Sequence, residues 1–446
     1  MKKLNILFAT MPMDGHFSPL TSLAVHLKGQ GFDVRWYVGG SYGEKVKKLG
    51  LPHYPYTKAQ YLNKENLDKL FPEASKIRGT AARIRFDINR VFLHPTPNFI
   101  EDLTAIYEEW PFDLIIHDVL FLGGSMIREI LPVKSVAIGV SPLFESDSNL
   151  PPMGLGKVPA RSWLGRMAQQ VLSYLVQGIL FKPCNDLHNK IRVQHGLAPT
   201  SDSLFDYAVR SADLYFQSGV PSFEYPRQRI SPNVRFVGAM LPHTRGIKQH
   251  FEQADKALEA KRVVLVTQGT VEKDVEKILA PTLQAFADDP DTLVIATTGG
   301  SCTVELRQRF PQEHFIIEDF IDFHSVMSFA NVYVTNGGYG GVMLGLQHNL
   351  PIVAAGVHEG KSEIAARVGY CGVGVNLKTE KPKPTQIRRA VNQVLNEVAY
   401  RQNVQKMSQE FSEYNTNELA TQYIQDLVAK PLESIIATPS SLPAIG

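Results

Sequence analysis

Short apolar runs alternate with longer segments whose apolar positions recur every three to four residues. In the first half the runs fall at residues 4–10, 32–38, 112–117, 133–139 and 212–217. In the second half they fall at 263–267, 292–297, 314–318, 332–335, 352–355 and 373–376. Runs of this length, rich in Val, Ile and Phe and apolar on both faces, predict buried parallel strands. The segment after residue 10 has Leu20, Leu23, Ala24 and Leu27 at helical spacing and stops at Gly29 and Gly31, the pattern of a helix with a glycine end. Helices are likewise predicted at 41–49, 103–109, 121–129, 166–181, 186–195, 273–287, 304–309, 324–328, 339–347, 361–368, 385–395 and 403–428. Strand and helix alternating twice over predicts an α/β chain of two doubly wound parallel sheets in tandem, Rossmann-like in each half.

Three stretches break the pattern. Residues 58–90 are mixed and charged and read only as helix and loop, while 140–165 turns to Pro, Ser and Gly. A long irregular loop inside a compact domain is usually functional. Pro221, Pro226, Pro232 and Pro242 mark 221–242 as a linker between domains at 1–220 and 243–410. The tail at 431–446, with Pro431, Pro439 and Pro443, reads as disordered.

With 446 residues, either half is long enough to bury a core of its own. Charged residues make up 20% and the formal net charge is +2, which offers no basic face for nucleic acid. Cys184, Cys302 and Cys371 are far apart and odd in number, against a disulfide framework or a cysteine metal site and in keeping with a cytoplasmic chain. No apolar stretch reaches the ~18 residues of a membrane span, so no stable membrane insertion is expected.

The densest chemical signal follows the run at 332–335. Asn336-Gly337-Gly338-Tyr339-Gly340-Gly341 stops the strand on glycines, and Val342-Met343-Leu344 begins a helix. Glycines let the backbone approach a ligand without Cβ atoms, and the free N–H groups of a helix start attract phosphate. It is neither a P-loop, since no Gly-Lys-Ser/Thr follows, nor a Gly-x-Gly-x-x-Gly fingerprint. The same turn also serves merely to pack a helix on a sheet.

Two α/β halves, Gly15-His16 near the start, the Asn336-Gly337-Gly338 turn and the later run from Gly356 to Leu377 together resemble the family-one glycosyltransferases, of the plant, macrolide and antibiotic-modifying kind. The resemblance reaches to about Val428 and is greatest with a bacterial branch. It implies the GT-B fold: acceptor in the N-terminal half, nucleotide sugar in the C-terminal half, chemistry in the cleft, and a last helix at 411–430 crossing back to the first domain. It also implies a hexosyltransferase with a UDP- or TDP-sugar as co-substrate and no other cofactor, as monomer or homodimer.

Inverting transfer needs a base for the acceptor hydroxyl, and histidine suits this near neutral pH. His16 follows the first strand at the carboxyl edge where such sheets bind ligands. Asp118, after the run at 112–117, can emerge on the same edge and orient the imidazole. The alternatives are a surface histidine at a helix start and a helix N-cap aspartate, with His117 as a rival orienter or a core residue.

No metal is expected, because the one Asp-x-Asp match, Asp289-Pro290-Asp291, precedes a strand instead of following one. The diphosphate is assigned to the amides of Gly338, Tyr339, Gly340 and Gly341, the Asn336 side chain, and Gly269-Thr270, with Thr270 as an N-cap the alternative. The resemblance places Phe320 against the base and Ile321 as a backbone contact to it, with core packing the competing account of Phe320. Many plant relatives have His at Asn336, a ribose-binding Glu at Leu344 and Asp-Gln sugar contacts at Gly360-Lys361. Glu359, Lys361 and Glu363 are candidates to replace those contacts, or else form a charged helix face, and the missing ribose acid keeps a TDP-sugar in play. For the acceptor, a small apolar or phenolic molecule of flavonoid, polyphenol or macrolide-like type, the expected lining is Met11, Pro12, Met13, the 141–152 loop with Ser141 and Phe144, and the helix at 166–181. Rival readings are a sugar-nucleotide epimerase, a non-catalytic binding or activator protein, and a lipid-acceptor enzyme anchored by that helix at a membrane surface.

Overall fold

A computed structural model describes residues 4–62, 69–77, 79–244, 251–269 and 272–429. The sequence assignments of Thr270 and of the 431–446 tail lie outside them. The first sheet contains β1 (Asn5–Ala9), β2 (Asp33–Tyr37), β3 (His53–Tyr54), β4 (Leu114–Asp118), β5 (Lys134–Gly139), β6 (Leu214–Gln217) and β7 (Val234–Phe236). Its order is β3-β2-β1-β4-β5-β6-β7, and every pairing is parallel. The second contains β8 (Arg262–Thr267), β9 (Thr292–Thr297), β10 (Phe315–Glu318), β11 (Val332–Thr335), β12 (Ile352–Ala354) and β13 (Gly374–Asn376). Its order is β10-β9-β8-β11-β12-β13, again parallel throughout. These are two doubly wound sheets, the GT-B arrangement.

Each sheet is covered on both faces, which is why its strands read as unbroken apolar runs. Leu7, Ala9 and Ile115 point into one core, while Ile6, Phe8, Leu114 and Ile116 point into the other. In the second sheet Leu265 and Ile295 divide from Val264, Val266 and Val294 in the same way.

Two strands were missed. β3 has two residues at one edge, too few for a pattern. β7 lies within 221–242, so the segment with the linker prolines also closes the first sheet, and β6 is not that sheet's last strand. Nearby, Gly219 and Gly238 form an antiparallel bridge with exchanged hydrogen bonds of 2.8 and 3.2 Å. Both have positive φ, and a Cβ on Gly238 would strike Tyr414.

The predicted helix at 403–428 is two helices, Val398–Ser412 and Thr416–Val428. The second buries Ala420, Ile424 and Leu427 among Ile6, Phe8, Leu20 and Leu27 of the first half. Burying an Ile or Leu is worth about 1.5–3 kcal/mol, so this helix ties the end of the chain to its beginning. The unassigned stretch before residue 94 contains the helix Thr80–Asp87, which runs on as a π-helical turn Ile88–Leu93. The helix predicted at 166–181 is Trp163–Leu175, extended by another π turn, Val176–Leu180.

Candidate active site

In a doubly wound sheet the loops diverge where the strand order reverses, leaving a crevice at the carboxyl edge. That point lies between β1 and β4 in the first sheet and between β8 and β11 in the second. His16 and Asp118 follow β1 and end β4; Gly269 and Asn336 follow β8 and β11. The four positions singled out from sequence therefore flank the two switch points in pairs.

His16 Nδ1 lies 2.8 Å from Asp118 Oδ1. Asp118 is fully buried and His16 is 16% exposed. The carboxylate also accepts from the amides of Met11, at 2.8 Å, and Leu120, at 3.1 Å. As a carboxylate it only accepts, so the proton between them sits on His16 Nδ1, and the neutral form of the ring then has its lone pair on Nε2. Asp118 is held by two backbone amides and in turn holds the ring. His117, the rival orienter, is a core residue: its Nδ1 bonds the Asp118 carbonyl at 2.9 Å, burial pushes its pKa down, and its ring leaves no room for a Cβ on Gly124.

Phe92, two residues beyond the 58–90 stretch, packs its ring 5.7 Å from that of His16. Ile88, Val91 and Phe92 stand at i, i+3 and i+4 and are all buried, a helical signal that the surrounding charges masked.

At the second switch point, Gly337 has φ +80° and Gly338 caps the helix Tyr339–Gln347. Asn336 accepts from the Gly338 amide at 3.2 Å and donates to the Gln268 carbonyl. Its side chain thus joins the β8 and β11 loops beside Gly269, whose φ is +75°. The amides of Tyr339, Gly340 and Gly341 belong to the first helical turn and have no carbonyl one turn earlier. Among the described residues, nothing outside its own helical turn lies within 4 Å of where a Gly340 side chain would begin. The Tyr339 side chain points the other way, into the core, where its hydroxyl donates to the Ser218 carbonyl and ties this helix to the first half.

The loop after β12 carries two successive positive-φ residues, Glu359 and Gly360. Lys361 follows, its Cβ 3.8 Å from the position of a Cβ on Gly337, and its ammonium 2.8 Å from Glu359. The structure therefore brings Lys361 and Glu359 to the glycine turn. Glu380, not anticipated from sequence, pins this loop by accepting from the amides of Val357 and His358 at 2.6 and 2.9 Å. Burial opposes its ionisation, but those amides and Lys277 outweigh burial and hold its pKa below the usual carboxylate range.

Gly356 packs against the same turn, and a Cβ there would sit 2.1 Å from the Asn336 carbonyl oxygen. Gly356→Ala should displace the turn, costing about 1–3 kcal/mol of stability in urea denaturation and weakening nucleotide binding by calorimetry.

Glu363 does not belong with Glu359 and Lys361. It is buried, accepts from the amides of Gly154 and Gly156 at 2.9 and 2.7 Å, and pairs with Arg367. It fastens the irregular loop of the first half to the second. Phe320 is 73% exposed, which removes core packing as its explanation, and lies over the Gly299-Gly300 turn. Ile321 is partly buried against the second core. Asp289 and Asp291 precede β9, at the edge opposite the site, and pair with Arg262 and Lys261.

The predicted acceptor residues divide into two groups. Met11 and Pro12 are buried and Met13 partly so, all beside His16, and Met11 contributes its amide to Asp118. Phe144 instead lines a cavity of about 380 Å³ with Tyr174, Phe205, Tyr225 and Arg227. Neither His16, residues 11–13 nor Ser141 borders that cavity. Met11, Phe144, Val176 and Phe181 nonetheless share one apolar core, with Met13 packed against it, while Glu363 holds the 154–156 part of the loop to the second half.

Among the described residues, no helix is long and apolar enough to cross a membrane. The sequence model of the family described as UDP-glucoronosyl and UDP-glucosyl transferase matches residues 102–418. Among characterised relatives, 4'-demethylrebeccamycin synthase of Lentzea aerocolonigenes is 33% identical over 95% of this chain and 99% of its own. UDP-glucosyltransferase A1 of Starmerella bombicola is 25% identical over 95% and 92%. Among solved structures, the calicheamicin glycosyltransferase CalG4 superposes with a TM-score of 0.74 at 19% identity, covering 96% of this chain and 99% of its own. The glycosyltransferase VinC in complex with DTDP gives 0.68 at 15%, covering 96% and 100%. Sequence match, end-to-end kinship and two facing doubly wound sheets agree: the chain is a glycosyltransferase and belongs to the UDP-glucoronosyl and UDP-glucosyl transferase family.

Proposed function

We propose that this glycosyltransferase acts by inversion and without a metal, moving a sugar from a UDP- or TDP-sugar to a hydroxyl of a small apolar or phenolic natural product. The observation that carries this is the His16–Asp118 pair at the switch point of the first sheet, with Nε2 left as the acceptor. His16 Nε2 takes the hydroxyl proton as the acceptor oxygen bonds to the anomeric carbon. The bond from that carbon to the diphosphate oxygen breaks with its electron pair, and the leaving diphosphate carries the charge away. Attack from the face opposite the leaving group inverts the centre, so an α-linked donor gives a β-glycoside.

The first-turn amides of Tyr339, Gly340 and Gly341, with Lys361 nearby, suit a diphosphate, and donors aimed at developing charge lower the barrier. Phe320 follows β10, three strands from β11, or about 14 Å at the usual strand spacing. That separation fits a base on Phe320 and phosphates at the glycine turn. Leu344, partly buried on the second core, offers nothing to a ribose diol, which favours a deoxyribose nucleotide. The relative named for the synthesis of 4'-demethylrebeccamycin supports a natural-product acceptor.

Thermal shift with UDP and TDP, each bare and as the glucose or rhamnose conjugate, tests the donor assignment. A ligand at about one hundred times its Kd stabilises by about 2.7 kcal/mol. The expected result is a raised melting temperature with one nucleotide, followed by β-glycoside formation on phenolic acceptors at a rate that EDTA leaves unchanged. No shift with any nucleotide would favour the non-catalytic reading, and a rate restored by magnesium after EDTA would exclude the metal-free one.

A further inference from the structure

The helix Trp163–Leu175 is inside out. Its buried residue is Gln169, which accepts from the Ala160 amide at 3.0 Å. Its exposed large apolar residues are Trp163, Leu164, Met167, Val171, Tyr174 and Leu175, with Trp163 64% and Tyr174 73% exposed. At the helical 100° per residue these six fall within an arc of about 120°, a single apolar stripe. Ile179, in the following π turn, is exposed as well. Of sixteen exposed large hydrophobic side chains among the described residues, seven lie on this helix and its π turn. Such an apolar face marks an interaction surface.

The charges around the stripe say what kind. Residues 148–185 contain no Asp or Glu and four cations, Lys157, Arg161, Arg166 and Lys182. Lys182 pairs with Asp186 at 2.7 Å. The other three are exposed and, among the described residues, have no carboxylate partner. We propose that this face docks on the surface of an anionic lipid bilayer. The helix lies in the interface plane, its stripe in the acyl boundary and its arginines at the headgroups. A second copy of the chain fits poorly, since face-to-face packing would bring the cations of both copies together with no acid on the stripe to offset them. The inference does not depend on the sugar or acceptor assigned above.

The full chain can be tested with vesicles of phosphatidylcholine alone and of an equimolar mixture with phosphatidylglycerol. Trp36 and Trp110 are buried and Trp163 is exposed, so tryptophan emission reports this face. The expected result is co-sedimentation with the anionic vesicles and a blue shift in emission that Trp163→Phe removes. Arg161→Gln with Arg166→Gln should lower partitioning roughly 25-fold, about fivefold per cation. Met167→Glu with Val171→Glu should abolish sedimentation while leaving the melting temperature unchanged, because both side chains already stand in solvent. No association with either vesicle, or equal association with both, would overturn the proposal. So would sedimentation equilibrium showing a dimer that the double glutamate variant dissociates, which would assign the face to a second copy.

Discussion

His16→Ala is expected to lower kcat by roughly 10²–10⁴-fold, the range for removal of a general base, while leaving nucleotide affinity within twofold. The two effects separate because His16 follows β1 of the first sheet, whereas the glycine turn follows β11 of the second. The alanine variant should fold, since the ring is partly exposed and its strong polar contact is to an aspartate already bonded by two backbone amides. Asp118→Asn is the companion. An amide there turns one of its two positions into a donor and sets the His16 tautomer against the acceptor hydroxyl, so kcat should fall with KM little changed. A His16→Ala enzyme with undiminished turnover would remove the base assignment, and an equal fall in nucleotide affinity would make His16 a folding residue.

The strands that matter most were legible because both faces of each sheet are covered, which leaves no polar alternation to misread. The site was legible where it rides on strand ends: His16, Asp118, Gly269 and Asn336 were placed by counting from apolar runs, and the switch points made those counts meaningful. What escaped was set by tertiary contact. Phe92 reaches His16 from a π-helical turn hidden in charged sequence, and Glu380 reaches the 356–360 loop from beyond β13. Neither belongs to a motif, since each is defined by what it meets across the fold. Glu363 shows the reverse error, a carboxylate beside a sugar-binding position by sequence that turns its back on the donor turn to bind two amides of the other half. The helix predicted at 166–181 was placed correctly, but periodicity alone does not say which face looks inward, and the one buried residue of Trp163–Leu175 is Gln169.

That misread carboxylate belongs to the assembly with the largest expected effect on stability. Arg367 is buried, its Nε 2.9 Å from Glu224 and its Nη1 3.2 Å from Glu363, with its guanidinium 4.2 Å over the Tyr225 ring. Burial works against its charge, yet Glu224, Tyr225 and Glu363 together more than offset it and raise its pKa above the usual arginine value. Glu224 in turn accepts from the Leu143 amide at 2.8 Å. Arg367 thus pairs with two buried acids that grip the 143–156 loop from opposite ends and join it to the linker and to the helix Lys361–Tyr370. Arg367→Leu leaves both acids buried without their partner, which costs about 3–5 kcal/mol, a large share of the roughly 5–15 kcal/mol typical of a folded domain. Urea denaturation should show that loss. Glu224→Gln with Glu363→Gln in the leucine background should recover much of it, since each amide oxygen still accepts and no charge is stranded. A loss below about 1 kcal/mol would mean that water reaches the acids and that the network holds nothing together. Because Arg367 and Lys361 share one helix, the leucine variant should also loosen Lys361 at the glycine turn. KM for the nucleotide sugar would then rise more than kcat falls, the opposite split from His16→Ala.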